Sequence, residues 1–249
     1  MSGCTLDDAI SLAAILMRVS PPAGRRLSIF ANTDMTGFVS VCLRLAFALA
    51  AIVPDAVAEA PLRVHVDTSL GGFEITLDRD KAPASVAHFL RLVDEKRYDE
   101  TIFHRVIPGF VVQGGGKYSD MSDVPEAPTV VSEADNGLKN LETTVALARF
   151  DDIDSASTEF FVNVADNANL DHSADSCTRA DYAEQNKAAE RGLVKPLSCA
   201  SYGYTVFGRV SAGMETIFDI EIVDTNMSED RMDVPLEPVI IRAIVRLAE

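Results

Sequence analysis

The pattern that most restricts the fold of this chain is a series of short apolar alternations set apart by turn residues. Leu62, Val64 and Val66 alternate with polar neighbours, and Phe73, Ile75 and Leu77 do the same beyond Ser69-Leu70-Gly71-Gly72. A period of two sends one side of each run into a core and the other toward solvent, and the short join predicts an antiparallel hairpin. Further short strands are predicted at Phe110–Gln113, Thr144–Ala148, Phe160–Val164, Thr205–Val210 and Val239–Leu247. Helical spacing is rarer. Val86, Phe89, Leu90 and Val93 follow Ala82-Pro83, with Arg91, Asp94, Glu95 and Lys96 on the opposite face, which predicts an amphipathic helix with proline near its start. Gly213 to Ile220 offers a second helix, with Met214, Ile217 and Phe218 on one face. Many short strands, few helices and no strand–helix–strand alternation predict an all-β barrel or sandwich.

Between Asp171 and Tyr202 the alternation lapses into a polar, alanine-rich stretch. It reads as a surface insertion over residues 173–201 with at least one helical turn, ended by Gly192.

The N-terminal part has a different character. Arg44 is followed by an uninterrupted apolar run from Leu45 to Val53, then Pro54 and the small residues Ala56-Val57-Ala58. An apolar stretch, a helix-breaking proline and an A-x-A site mark a secretory signal peptide cleaved after Ala58. As a helix, nine residues span only ~14 Å, under half of a bilayer core, so a stable membrane span is disfavoured. A signal normally opens a chain. Met35 is therefore read as the start, and residues 1–34, which carry no clean period, as an upstream extension. The division is 1–58 for extension and signal and 59–249 for the folded domain, with a periplasmic or secreted location. Cleavage removes Cys4 and Cys42 and leaves Cys177 and Cys199, an even pair in an oxidising compartment that is expected to form a disulfide across the insertion.

The composition narrows the function. Lys and Arg number 22 against 38 Asp and Glu, a formal net charge of −16. Cleavage leaves that balance unchanged, since it takes Arg18, Arg25, Arg26 and Arg44 together with Asp7, Asp8, Asp34 and Asp55. Such a surface repels phosphate backbones, which argues against nucleic acid as a partner. The four histidines are scattered and the cysteine spacing fits no compact zinc motif, so no metal site is expected. Gly114-Gly115-Gly116 lacks the spacing and following helix of a phosphate cradle. Asp151-Asp152-Ile153-Asp154 lacks the rest of a calcium loop and reads as a solvated acidic turn.

The informative stretch is Phe103-His104-Arg105-Val106-Ile107-Pro108-Gly109-Phe110, followed by Gln113-Gly114-Gly115. With Ser157-Thr158-Glu159-Phe160-Phe161-Val162 and Tyr204-Thr205-Val206-Phe207-Gly208-Arg209-Val210, it closely resembles the signature of the cyclophilin family of peptidyl-prolyl cis–trans isomerases. Glu133 to Leu138 and Asn163 to Asn167 are similar to the bacterial branch. The resemblance runs from about Leu62 to Leu247, and it implies an eight-stranded antiparallel closed barrel capped by two helices.

The resemblance also implies a chemistry. Rotating an X-Pro bond means twisting an amide against its resonance, a barrier of ~18–20 kcal/mol, and no bond is broken. The reaction therefore needs no cofactor, metal or nucleophile. An apolar pocket and a cation near the proline nitrogen suffice. By the resemblance Arg105 is that cation, and Phe110, Val111, Phe161 and Leu170 form the proline pocket. Gln113 orients Arg105 or the substrate backbone. Ala148 and Arg149 match positions where the family's strand backbone binds peptide, and Tyr204 replaces the His of many eukaryotic members. His104 reads as structural. Glu159 stands where the family usually has Gln, and a carboxylate there either fixes Arg105 or diverts its charge. The expected partners are proline-containing peptides and unfolded or folding proteins, with the chain itself a monomer. The rival reading is a non-catalytic peptide-binding module or holdase, in which Glu159 quenches Arg105.

Overall fold

In this computed structural model, which describes residues 61–173, 177–194, 199–227 and 232–248, eight strands close into one antiparallel barrel. They are β1 (Arg63–Thr68), β2 (Gly71–Leu77), β3 (Thr101–Ile107), β4 (Val111–Tyr118), β5 (Thr144–Leu147), β6 (Phe160–Asn163), β7 (Val206–Ala212) and β8 (Val239–Arg246). Their order around the barrel is β1-β2-β7-β5-β6-β4-β3-β8, with β8 returning to β1. Closure pairs every strand on both sides, which removes the exposed edges that an open sheet would present. The predicted hairpin is β1–β2, with Val64 opposite Ile75 and Val66 opposite Phe73. The predicted signal segment and the extension before it lie outside the described residues.

Alternation along the strands fills two cores. Inside the barrel lie Val64, Val66, Phe73, Ile75, Phe103, Val112, Val145, Leu147, Phe160, Val162 and Phe207. Residues one step out of phase on four neighbouring strands, Val111, Ala146, Phe161 and Val206, are also buried, in a separate cluster on the outer face. Every residue of β6 is buried for this reason.

Helix α1 (Pro83–Asp94) packs Val86, Phe89, Leu90 and Val93 on the interior core, as its spacing predicts. The Phe89 ring meets those of Tyr98, Phe160 and Phe207 at 5.3, 5.8 and 5.0 Å between centroids. The first turn of α1 has no cap of its own. Instead the Glu133 carboxylate accepts from the Ala84 and Ser85 backbone N–H groups at 3.0 and 2.8 Å, an anion placed at the positive end of the helix.

Helix α2 (Arg179–Glu190) is the insertion's own helix, and Gly192 follows it with a φ of 70°. Thr178 opens it by accepting from Asp181 N–H. No residue of α2 is buried, so other contacts hold the insertion down. The Cys177–Cys199 disulfide closes its base, with a Cα separation of 5.8 Å, and both cysteines join Ala134, Ile153 and Tyr202 in a small buried cluster. Arg179 places Nη1 2.9 and 2.7 Å from the two Asp154 carboxylate oxygens and donates Nη2 to the Ser132 carbonyl at 2.9 Å. Asp154 is thus a tie for the insertion, a role the reading of residues 151–154 as a solvated turn missed.

Helix α3 (Met214–Glu221) buries Thr216, Ile217 and Ile220. Phe218, expected on the buried face, is 41% exposed. Thr216 takes the inward position, donating its hydroxyl to the Gly72 carbonyl at 3.1 Å, and this contact sets the rotation of the helix.

Replacing both Cys177 and Cys199 with serine removes a cross-link between residues 22 apart. In the chain-entropy account this lowers the unfolding free energy by about 3 kcal/mol, read from denaturant or thermal unfolding of the oxidised protein and the variant.

Candidate active site

The site begins with a slip in strand register. Phe103 of β3 faces Gly114 of β4, yet Arg105 faces Gln113, so two steps on β3 answer one on β4. A bulge of this kind re-aims the side chains around it. Phe103 and Val106 both point into the barrel core, and Arg105 is left on the outer face, beside the outer cluster. Without the slip, Arg105 would share a face with Phe103.

The glycines after Gln113 permit the close approach. A Cβ at Gly114 would sit 2.8 Å from the Phe103 ring. One at Gly115, where φ is +86°, would sit 2.9 Å from the Tyr98 ring. One at Gly116 would overlap the Glu159 side chain.

Above the outer cluster lies a cavity of about 330 Å³. Phe110, Val111, Phe161 and Leu170 give it apolar walls, Arg105 and Gln113 stand on one side, and Ala148, Arg149 and Tyr204 on the other. These nine sequence-selected residues come together. Glu159 does not join them: it stands behind Gln113 and lines an adjoining groove that shares Gln113, Ala148 and Arg149.

Polar ties fix the walls. The Phe110 carbonyl accepts from Val164 N–H at 3.1 Å and from the Asn167 amide at 2.8 Å. Asn167 also donates to Asn163 Oδ1 at 2.7 Å, Asn163 to Asn140 Oδ1 at 3.3 Å, and Asn140 to the Leu170 carbonyl at 3.0 Å. The three buried asparagines therefore link the backbones of two pocket residues, Phe110 and Leu170. Sequence reasoning gave them no role, although Asn163 and Asn167 lie in one of the blocks that carry the resemblance. Tyr204 packs edge-on against Phe161 at 5.7 Å, and its N–H donates to the Leu170 carbonyl at 3.0 Å.

Arg149 has its guanidinium 5.0 Å from the Tyr204 ring centre. It donates to the carbonyls of Gly203, Cys199 and Phe150 at 2.8, 2.9 and 2.8 Å. Burial lowers its pKa from the ordinary arginine value. Its side chain ties β5 to the end of the insertion.

Arg105 donates Nη1 to Gln113 Oε1 at 3.2 Å, and Gln113 donates Nε2 to Glu159 Oε2 at 2.6 Å. His104 Nε2 lies 3.5 Å from that same carboxylate oxygen. Burial pushes the Glu159 pKa up, but His104, the Gln113 hydrogen bond and the Lys117 charge outweigh it and hold the carboxyl below its ordinary value.

Residues 63–246 match the family model described as cyclophilin type peptidyl-prolyl cis-trans isomerase/CLD. Peptidyl-prolyl cis-trans isomerase A of Dickeya dadantii is 41% identical over 195 residues, 78% of this chain and 90% of that protein. Peptidyl-prolyl cis-trans isomerase B of Escherichia coli is 37% identical over 181 residues, 73% of this chain and 97% of that one. A crystal structure of a cyclophilin-type isomerase from Cryptosporidium parvum superposes with a TM-score of 0.52 at 19% identity, covering 76% of this chain and 99% of that one.

The lowered Glu159 pKa has a consequence for stability. A carboxyl that is more acidic folded than unfolded contributes fully above its ordinary value of 4.5 and loses that contribution as pH falls through the folded value. In acid unfolding below about pH 4.5, Glu159→Gln is therefore expected to show a shallower loss of stability than the wild type.

Proposed function

We propose that this chain, which belongs to the cyclophilin-type peptidyl-prolyl cis-trans isomerase family, accelerates rotation about X-Pro bonds in unfolded and folding proteins. The observation that carries the reading is a guanidinium at the rim of a phenylalanine-walled cavity, with a carbonyl oxygen of Gln113 turned toward it.

The proline ring enters between Phe110, Phe161 and Leu170, over Val111. As the amide twists, its resonance is lost and the nitrogen lone pair localises. Arg105 donates toward that nitrogen and stabilises the twisted state more than either planar one, which is selective binding of the transition state. The cation is held ready beforehand, so little reorganisation accompanies the rotation. Quenching of Arg105 by Glu159 would need the two charges in contact. Here the carboxylate faces Gln113 and His104, and the guanidinium faces the Gln113 oxygen, which supports the enzyme over a binding module.

We also infer that the protein is exported. The apolar run over 45–53, the A-x-A site at Ala56-Val57-Ala58 and the Cys177–Cys199 disulfide support this reading. Protein isolated from the producing cell is expected to have an intact mass that begins at Glu59. A mass that retains residues 35–58 would mean that the segment is not removed.

The activity is tested by a proline-peptide isomerisation assay. Arg105→Ala is expected to lower the catalysed rate by about two to three orders of magnitude, the usual loss when a transition-state donor is removed. A wild type no faster than that variant would end the isomerase reading.

A further inference from the structure

We propose that Glu159 is a positioning residue for Arg105, acting by fixing which way the Gln113 amide faces. This rests on the isomerase reading and adds a part to it. A carboxylate accepts hydrogen bonds and donates none. At 2.6 Å from Glu159 Oε2, Gln113 must therefore present its NH₂ to that side, and its carbonyl oxygen is left facing Arg105 Nη1 at 3.2 Å. Donation runs one way from Arg105 through Gln113 to Glu159, and the carboxylate ends it, with His104 Nε2 3.5 Å from the same oxygen on the far side.

A glutamine at position 159, the residue usual in the resembling family, has both a donor and an acceptor. Two facing amides can then pair in either sense. In the reversed sense the Gln113 NH₂ would face the Arg105 donors, and the guanidinium would lose its acceptor and with it its fixed place beside the cavity.

The surroundings are arranged for a carboxylate. His104 faces it from β3 and Lys117 from β4, where Lys117 also pairs with Asp123, while Arg105 stands one residue further off, beyond Gln113. Gly116 lacks the Cβ that would collide with the Glu159 side chain. His104 brings Nε2 to Glu159, and its buried Nδ1 has no hydrogen-bond partner among the described residues, so the contact of this ring with the carboxylate sets its orientation.

The test is a double-mutant cycle in the isomerisation assay at neutral pH, with kcat and KM resolved, on wild type, Glu159→Gln, Gln113→Ala and the double variant. Arg105→Ala serves as the reference. Glu159→Gln is expected to lower kcat roughly tenfold, the scale of one lost hydrogen bond to a charged group, with KM nearly unchanged. Once Gln113 is alanine, the same substitution should change nothing further. A Glu159→Gln variant as fast as wild type, or losses that multiply in the double variant, would overturn the proposal. The function itself fails only if wild type and Arg105→Ala are equal, so the two failures are distinct. A second arm needs no variant. On the wild-type protein, the NMR signals of the Gln113 side-chain amide and the Arg105 guanidinium should shift together with the Glu159 carboxyl as pH falls from about 6 to 3. Signals of Arg105 and Gln113 that ignore that titration would equally overturn it.

Discussion

The site depends on one slip in the ladder between β3 and β4. Phe103 and Val106 both belong inside the barrel, and a strand of unbroken alternation cannot send residues three apart to the same side. The bulge between Phe103 and Arg105 resolves this and leaves the guanidinium outside, next to the apolar cluster. Gly114 and Gly115 let Phe103 and Tyr98 close against β4 where the ladder is irregular, and Gly116 makes room for Glu159. A strand defect, a glycine run and a cation beside a greasy hollow are thus parts of one arrangement.

The barrel supplies the floor of that hollow, and polar ties supply its walls. Val111, Phe161, Ala146 and Val206 come from adjacent strands, and their register places them side by side, as in Ala146 opposite both Phe161 and Val206. Phe110 and Leu170 come from connecting segments, which the strand ladder does not fix. The buried asparagines 140, 163 and 167 do that work by bonding their backbones. Fully paired, such a network is rigid, and the loss of one member strands its neighbours without partners. The insertion is fastened in the same manner, through Arg149 to the Cys199 and Gly203 carbonyls and through Arg179 to Asp154.

Period-two and helical spacing made the hairpin β1–β2, the later strands and helix α1 legible from sequence. Strand β3 carries no strand signal in the sequence, because Thr101-Ile-Phe-His-Arg-Val-Ile107 has its alternation broken by the bulge that builds the site. The strand signal of β4 ends at Gln113, since three glycines carry no side chains to alternate, yet the strand continues to Tyr118. The pocket residues were legible through the resemblance, while the asparagine chain was not. A buried asparagine looks like any polar loop residue until its partners, tens of positions away, are known. The same limit hid the Asp154–Arg179 pair and the commitment of Arg149 to backbone carbonyls.

Two arginines border the cavity, and their surroundings give them different capacities. Arg149 has donors on three carbonyls and its face over Tyr204, so its charge is engaged by groups that stay in place when a peptide binds. Arg105 has a neutral carbonyl as its partner, and the nearby carboxylate is one residue further along the chain. A neutral acceptor orients a cation without cancelling its field. A direct carboxylate would orient it as well, but at close range it would offset the positive charge that a twisted amide requires. Placing Gln113 between Glu159 and Arg105 separates orientation from neutralisation. Under the proposed mechanism, that separation lets an acidic protein keep an effective cation beside the bond that rotates.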